Sequence, residues 1–510
     1  ANASYSEKEA IAQQVAASGH APARLALTAF LEGSLYVRES DGVVLSAALV
    51  EGDDASLSLT DLLTQKSLGT VPAEGYQKIG TNNSLRKALR GMLAQLALSD
   101  PDPAVRLAAV KESLRSVDDA TVAVFRARLK GEEDGAVRRA LDVGLALADL
   151  KNADADVRLA AVRTLDGELT PDAFNQLTAM VEADERGKPA EPDERVRLAA
   201  AAAIDNISFW RSVYGGVETL FFGLSLGSVL VLAAIGLAIT FGVMGVINMA
   251  HGELIMLGAY TAYVMQLLIP DNHGLALLLS IPAAFLVSGL FGVAIERGIV
   301  RFLYGRPLET LLATFGLSLI LQQLVRSVFS PNNRPVSIPE FMSGVWQVND
   351  ALAITYNRLY ILVFALIVFA GLLAILKRTP LGLQVRAVSL NRPMARALGV
   401  RSDWVDAATF GLGSGIAGIA GVALSQLTNV GPNLGQAYII DSFMVVVFGG
   451  VGNLWGTLIG GMSLGVINKL LEPYAGAVLA KILVLVALIL FIQRKPKGLF
   501  PQKGRAAEGH

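Results

Sequence analysis

The chain has 510 residues, of which 53% are hydrophobic and 17% are charged, and its formal net charge is −1. The length exceeds one typical domain, and the high hydrophobic share indicates a membrane protein. The absence of cysteine excludes disulfides, zinc–thiolate sites and thiol nucleophiles. Residues 1–209 hold 23 Lys and Arg against 32 Asp and Glu, whereas residues 210–510 hold 20 against 12. We therefore predict an acidic soluble domain over 1–209 and a membrane domain over 210–510.

The first 82 residues show no clear hydrophobic periodicity, and we predict them to be irregular. One exception is Asp41-Gly42, which separates two runs rich in β-branched residues and predicts a hairpin over residues 35–45. The chain begins at Ala1 rather than Met, as it would after removal of a secretory signal peptide. This start favours a soluble domain outside the cytoplasm.

A short motif, Asp-x-x-Val-Arg-x-Ala, recurs in the rest of the soluble domain. It occupies residues 102–108, 134–140, 154–160 and 193–199. Each Asp stands where a helix N-cap is expected, and Val and Ala fall on one helical face. The pattern resembles the second helix of HEAT-like repeats, in which helix pairs stack into a solenoid. Its arginines either pair with neighbouring Asp residues or bind an anion; they are Arg106, Arg138, Arg158 and Arg197.

Nine apolar segments follow in the membrane domain. They cover residues 217–242, 247–269, 274–297, 308–329, 357–376, 404–428, 438–451, 456–471 and 475–493. A bilayer span needs about 20 apolar residues, so one of the two short segments near 438–471 is a candidate half-helix. We predict an all-α fold, in which a helical membrane domain of about eight or nine spans follows a mainly helical soluble domain.

Lys and Arg gather in three connections of the membrane domain, at residues 297–306, at 377–401 and after 493. Cytoplasmic loops carry such an excess of positive residues. If all three connections lie in the cytoplasm, an even number of segments separates each connection from the next, as successive membrane crossings require. An odd total of nine then places residues 1–209 on the opposite side of the membrane, in agreement with a removed signal peptide.

The stretch 241–260 is apolar almost throughout, yet it contains Asn248, His251 and Glu253 among four glycines. Ionisable groups at membrane depth are costly and usually face a cavity or a substrate path. Glycines there allow a helix to break, which exposes backbone groups that can bind polar solutes. A polar turn whose side chains cap helices or reach water explains the same residues equally well.

Other polar residues in the apolar segments are candidates for the same path. They are Thr310, Thr314, Gln322, Asp441 and Ser442. For Gln322 and Ser442, an interhelical hydrogen bond is at least as good an explanation. Lys469 and Lys481 are the exceptions to a scarcity of positive charge at membrane depth, and such side chains often extend to an interface.

Motifs for catalysis and nucleotide binding are absent from the sequence: it contains neither a Walker A pattern nor His-Glu-x-x-His, and no His-rich metal site is available. The stretch 413–418 matches G-x-G-x-x-G, but it lies inside an apolar segment with no preceding strand. We therefore predict a close helix–helix contact at Gly411, Gly415 and Gly418 rather than a dinucleotide site.

Four stretches together carry a resemblance to a known family: residues 245–258, 309–322, 382–399 and 441–461. They are similar to permeases of the branched-chain amino acid and urea class of ABC importers, and the likeness covers residues 210–500. It implies a bacterial inner-membrane permease that works with a second, related permease, two cytoplasmic ATPase subunits and an external solute-binding protein. ATP and Mg would bind to the ATPase partners, so no catalysis, cofactor, metal or nucleic acid is expected on this chain.

The amphipathic stretch 381–400 in the cytoplasmic loop 377–401 has two interpretations, an ordinary positive loop or a short helix that docks in a partner's groove. Pro393 and Gly399 are expected to break and end such a helix. In the family, the matching loop is the coupling helix that docks on the ATPase. The residues that this implies for coupling are Arg386, Arg392, Met394, Arg396, Leu398 and Gly399.

Ordinary members of the class lack a long soluble domain before the first span, and an extension of this size resembles the urea-transporter subtype. We therefore predict urea or a short amide as the transported solute, which needs amide, hydroxyl or carboxylate partners and no net charge. A branched-chain amino acid permease is the first alternative, although a zwitterion needs separate cation and anion sites and fixed positive charge is scarce at membrane depth. A facilitative channel that requires no ATPase is the second.

Overall fold

The computed structural model describes residues 3–18, 22–50, 53–62, 64, 66–114, 119–182 and 189–500. The chain divides into two compact units, Ala1–Arg211 and Ser212–His510, and each is described here by itself. Most of the chain is helical, which confirms the predicted polytopic helical class, although strands occur in both units.

The first unit begins with two helices and a five-stranded antiparallel sheet. These elements are α1 (Tyr5–Ala17), α2 (Pro22–Glu32), β1 (Leu35–Arg38), β2 (Val44–Val50), β3 (Asp53–Thr60), β4 (Ser67–Pro72) and β5 (Tyr76–Lys78), with strand order β4-β3-β2-β1-β5. The prediction that residues 1–82 are irregular is therefore wrong. Leu45, Ala47, Leu57 and Leu59 alternate along β2 and β3 and form the buried face. Small and polar residues between them weaken this alternation as a sequence signal.

The predicted hairpin over residues 35–45 is confirmed. Strands β1 and β2 pair antiparallel, with Val37 opposite Val44. In the turn, the carboxylate of Asp41 accepts a hydrogen bond from the backbone N–H of Val43 at 3.2 Å. Gly42 adopts φ +72°, a left-handed conformation that glycine reaches without steric cost.

Helices fill the rest of the first unit and carry the repeated motif. They are α3 (Asn83–Leu98), α4 (Pro103–Ser113), α5 (Asp119–Leu129), α6 (Gly135–Asp149), α7 (Ala155–Leu165), α8 (Pro171–Val181) and the start of α9 (Glu194–Met244). The predicted N-caps are confirmed at Asp102, Asp134 and Asp154, whose carboxylates accept N–H groups of the first turn. Val137 and Val196 are fully buried in the core of these helices.

Two of the motif arginines pair with glutamates rather than with the neighbouring Asp residues. The guanidinium of Arg106 lies 2.7 Å from the carboxylate of Glu132, and that of Arg158 lies 2.7 Å from Glu191. Each glutamate stands two residues before the Asp of the next copy of the motif, so the ion pairs join successive copies. Arg197 donates to the backbone carbonyl of Glu191 at 3.1 Å.

We expect replacement of Glu132 by Gln to lower the melting temperature of the full chain at pH 7. The hydrogen bond from Arg106 lowers the pKa of Glu132 from 4.5 to about 2. Because the folded-state pKa lies below the unfolded value, ionised Glu132 stabilises the fold above about pH 4.5, and this contribution is lost as the pH falls toward 2. Circular-dichroism melts in detergent should show the deficit of Glu132→Gln shrinking over this window.

The exposed neighbour Glu133 provides a matched control, since Glu133→Gln removes the same charge without touching the pair with Arg106. It should melt like the wild type at pH 7. An equal loss in both variants would show that overall charge, rather than the ion pair, sets the stability.

The second unit contains the apolar helices and one hairpin. After α9 come α10 (His251–Leu268), α11 (His273–Gly298), α12 (Pro307–Phe329), β6 (Val345–Asn349), β7 (Leu352–Thr355), α13 (Tyr356–Arg378), α14 (Pro380–Leu390), α15 (Arg392–Ala397), α16 (Ser402–Ser425), α17 (Leu434–Gly449) and α18 (Leu454–Arg494). Strands β6 and β7 pair antiparallel, and the sequence did not predict them.

Six helices in the described residues are long and apolar enough to cross a membrane. They are Glu194–Met244, His273–Phe302, Pro307–Phe329, Tyr356–Arg378, Ser402–Ser425 and Leu454–Arg494. The nine predicted segments fall in these helices and in α10 and α17, the second of which is short. The last two predicted segments are the halves of α18, which bends at Gly476, where φ is +78°.

Helix α16 packs closely on α10 and α11, and the predicted glycine contact is confirmed. A Cβ atom at Gly415 would lie 2.6 Å from the ring of Phe285, and one at Gly418 would meet the carbonyl oxygen of Ala284. Gly411 stands against the side chain of Val293 in the same way. Small residues let these helix backbones approach, which is how apolar helices associate without a hydrophobic driving force in lipid.

We expect Gly421→Ala in α16 to destabilise the second unit by about 1–3 kcal/mol. Its new methyl group would meet the carbonyl oxygen of Ile255 and the nitrogen of Ala259, two backbone atoms of α10 that cannot rotate away. Gly316 in α12 has open space around its Cα, so Gly316→Ala is the control and should be neutral or slightly stabilising. Equal melting temperatures for the two variants in detergent would contradict the close contact.

Candidate functional site

The helical structure is interrupted within residues 241–260, where the sequence left a broken helix and a polar turn as equal alternatives. Helix α9 ends at Met244, Gly245 adopts φ +64°, and α10 begins at His251. Thr314 of α12 holds the intervening backbone, because its hydroxyl accepts the N–H of Met249 at 3.1 Å. Asn248 is fully buried, and its side-chain oxygen accepts the N–H of Ala250 at 3.0 Å.

Glu253 stands in the first turn of α10 and is 1% exposed. One carboxylate oxygen accepts hydrogen bonds from the hydroxyl of Ser318 at 2.9 Å and from the amide of Gln322 at 3.3 Å. Its second oxygen is buried without a hydrogen-bond partner among the described residues. An unsatisfied buried acceptor is costly, so this oxygen has hydrogen-bonding capacity that the described residues do not use.

The Asn248 amide nitrogen is also buried without a partner in the described part of the chain. A free donor on Asn248 and a free acceptor on Glu253 therefore lie five residues apart, on either side of the start of α10. We call Asn248, Glu253, Thr314, Ser318 and Gln322 the polar cluster.

The other predicted path residues contribute differently. The ring of His251 lies 2.8 Å from the carbonyl oxygen of Ala233 and links α10 to α9. Thr310 donates to the carbonyl of Arg306, the residue just before α12, at 2.9 Å. Ser442 donates to the carbonyl of Tyr438 in its own helix at 2.8 Å. Both hydroxyls therefore bond to nearby backbone. We find no side-chain hydrogen bond from Thr310 or Ser442 to the polar cluster in the described residues.

Sequence reasoning missed Ser318, which joins Glu253 to α12. A signal for it exists: buried polar residues recur every fourth position along α12, at Thr310, Thr314, Ser318 and Gln322. Residues four apart lie on one face of a helix. A polar stripe of this kind in an apolar helix is the pattern that would have identified it.

Asp441 pairs with a lysine and not with a residue of the polar cluster. The ammonium group of Lys481 in α18 is 2.8 Å from the Asp441 carboxylate. Lys469 pairs with Glu472 at 2.5 Å. Both lysines thus have carboxylate partners within the chain, which the sequence did not predict.

The predicted coupling segment folds as two short helices, α14 and α15, rather than one. Asn391 separates them and caps α15 by accepting the N–H of Met394 at 3.0 Å. Pro393 therefore lies in the first turn of α15 and does not break a helix. Gly399 ends the segment at φ +87°, as the sequence predicts.

The arginines of this segment bond within the chain, and some of its apolar residues are exposed. Arg386 donates to the carbonyl of Leu376. Arg392 lies 2.8 Å from the buried carboxylate of Asp406, and Arg396 lies 2.8 Å from Asp403. Met394 and Leu398 are 59% and 79% exposed, so the segment offers these two apolar side chains to a partner in addition to the exposed Arg386 and Arg396.

Arg392 also connects the segment to the end of α11. Its guanidinium lies 5.0 Å from the centre of the Tyr304 ring, and the hydroxyl of Tyr304 donates to Glu296 at 3.0 Å. Burial and the nearby carboxylates raise the pKa of Tyr304, so the phenol stays protonated and keeps this hydrogen bond. Arg392 thus links α15 to α16 through Asp406 and to α11 through Tyr304 and Glu296.

A family model described as branched-chain amino acid transport system / permease component matches residues 219–492, more than half of the chain. The chain belongs to this family. The permease protein BraD of the high-affinity branched-chain amino acid transport system of Pseudomonas aeruginosa is 31% identical over 56% of this chain and 96% of its own length. The corresponding LivH of Escherichia coli K12 is 29% identical over 56% of this chain and 94% of its own.

A more distant similarity is to the ribose import permease protein RbsC of Escherichia coli K12, which is 25% identical over 54% of this chain and 85% of its own length. No solved structure matches significantly. The permease family model covers the polar cluster, the Asp441–Lys481 pair and the coupling segment, and residues before 219 lie outside it.

Proposed function

We propose that this chain is the membrane permease subunit of an ATP-driven importer that moves a small polar solute by alternating access. The observation that carries the proposal is the match of the permease family to residues 219–492. The broken connection between α9 and α10 supports it, because interrupted helices at membrane depth are the usual sites of solute binding in transporters. The buried polar cluster beside the break supplies unsatisfied donor and acceptor groups.

The proposal places the chain in a bacterial inner membrane, with the first unit in the periplasm and the C-terminus in the cytoplasm. Its partners would be a second, related permease, two ATPase subunits that bind ATP and Mg, and a periplasmic solute-binding protein. The excess of Lys and Arg in the connections 297–306 and 377–401 supports this orientation. The first unit would help to seat the solute-binding protein.

Two solute classes compete. Urea or a short amide is the prediction from the sequence, and the neutral amide and hydroxyl groups of the polar cluster suit it. The names of the relatives favour the alternative, a branched-chain amino acid, and they give no support to urea. The Asp441–Lys481 pair is a contact between opposite charges at 2.8 Å, and it brings one anion and one cation to the same place.

Uptake measurements decide between these classes. Cells that express the complete importer, with and without this chain, would be given labelled urea or labelled leucine. Loss of saturable leucine uptake alone would assign a branched-chain amino acid, and loss of urea uptake alone would assign urea. If neither uptake depended on the chain, both solute assignments would be wrong.

A further inference from the structure

A cavity of about 330 Å³ lies between α9, α17 and α18. This volume is at the lower end of the range for ligand pockets, so the cavity suits a small solute. Its apolar wall includes Leu226 and Leu230 of α9 and Val484 of α18, and its polar wall includes Asp441, Lys481 and Asn468. The lining comes from both sides of the bend at Gly476, since Asn468 precedes it and Lys481 follows it.

The charged groups of the cavity, Asp441 and Lys481, do not use all of their hydrogen-bonding capacity within the described residues. Asp441 is 8% exposed; one of its carboxylate oxygens accepts from the Lys481 ammonium at 2.8 Å, and the other is buried with no hydrogen-bond partner in the part of the chain that the structure describes. An ammonium group has three donors, so the Lys481 side chain, which is 49% exposed, can also serve an incoming oxygen. A free acceptor on Asp441 and a free donor on Lys481 thus stand side by side in the cavity.

We infer that this cavity binds a small solute in which N–H donors lie close to a carbonyl or carboxylate oxygen. The solute's N–H group donates to the free oxygen of Asp441, and its own oxygen accepts from Lys481. A free amino acid and urea both have this chemistry, and the apolar wall gives an aliphatic side chain somewhere to pack. The inference rests on the proposed import function, since it names a second place where the transported solute is held.

A purely structural ion pair is the competing explanation, and the chain offers a control for it. Lys469 and Glu472 form the other Lys–carboxylate pair of α18, at 2.5 Å, and neither residue lines the cavity. The two pairs have the same chemistry but different access to the cavity. Variants of the Lys469–Glu472 pair therefore report what loss of an ion pair alone does to the protein.

The test is equilibrium binding of labelled leucine and of labelled urea, in separate arms, to the purified full chain in lipid nanodiscs. Asp441→Asn and Lys481→Met should each weaken binding of the true solute by about tenfold or more, since each removes a charged hydrogen-bond partner. The double variant Asp441→Asn/Lys481→Met leaves no unpaired buried charge, so it should fold even if a single variant does not, and it should also lose binding. Lys469→Met/Glu472→Gln should bind like the wild type.

Wild-type affinity in the double variant would overturn the inference, as would binding of neither solute to the wild-type chain. Uptake by the complete importer distinguishes failure of this inference from failure of the proposed function. If the double variant still transports with an unchanged KM, the cavity is not the binding place although the importer stands. If the wild-type importer takes up neither solute, the proposed function itself fails.

Discussion

Replacement of Met394 and Leu398 together by Asp should reduce ATP-driven uptake by roughly 100-fold or more. Both side chains are largely exposed in the coupling segment, and neither belongs to a hydrophobic core of the described residues. If they pack against an ATPase subunit, two carboxylates at the same positions lose that apolar contact and must be desolvated. The fold should be unaffected, because neither side chain is part of the core of the second unit.

Uptake into proteoliposomes with the complete importer, together with co-purification of the ATPase subunits, measures this effect. The control is Leu68→Asp, at an exposed apolar residue on β4 of the first unit, and it should co-purify with the ATPase subunits as the wild type does. Arg392→Glu is a poorer test, because it sets a carboxylate against the buried Asp406. Normal solute flux through the double variant without ATP would instead favour the facilitative channel.

Glu253→Ala should lower uptake by about 10- to 100-fold while leaving assembly of the importer intact. The substitution removes the acceptor shared by Ser318 and Gln322 and the free oxygen that is available to the solute. Glu253→Gln keeps the side-chain shape and one acceptor oxygen, so it should retain more activity than Glu253→Ala.

Two serine variants separate this effect from general damage to the helices. Ser318→Ala removes one donor to Glu253 and should reduce uptake. Ser280→Ala removes a buried hydroxyl that, among the described residues, bonds to its own helix, and it should not reduce uptake. Binding and transport would be measured on variants that elute as the wild type does in size-exclusion chromatography. Full uptake by Glu253→Ala would show that the polar cluster is structural.

Local patterns in the sequence predicted much of the fold. Long apolar runs predicted the membrane helices, since a span of about 20 apolar residues is a property of the segment alone. The motif Asp residues predicted the helix starts, because an N-cap acts on the N–H groups of its own first turn. Asp41-Gly42 predicted the hairpin, because turn residues act on the strands directly beside them. Each of these signals lies within a few residues of the feature that it specifies.

Predictions failed where a partner lies far away along the chain. The sheet over residues 35–78 was missed, because strands with small residues are stabilised by pairing with one another rather than by their own composition. Arg106 and Arg158 were expected beside the nearby Asp residues, but glutamates about 30 residues away have the geometry to accept both guanidinium hydrogen bonds.

The sequence by itself predicted the boundary between the two units and the apolar helices of the second unit, because composition and hydropathy are local properties. It left open whether the chain breaks before His251. Only the tertiary structure decided which polar residues meet: Glu253 with Ser318 and Gln322, Asp441 with Lys481, and Arg392 with Asp406. Inside an apolar environment a polar group must find a partner wherever the packing brings one, and that partner is chosen by helix contacts that no single segment encodes.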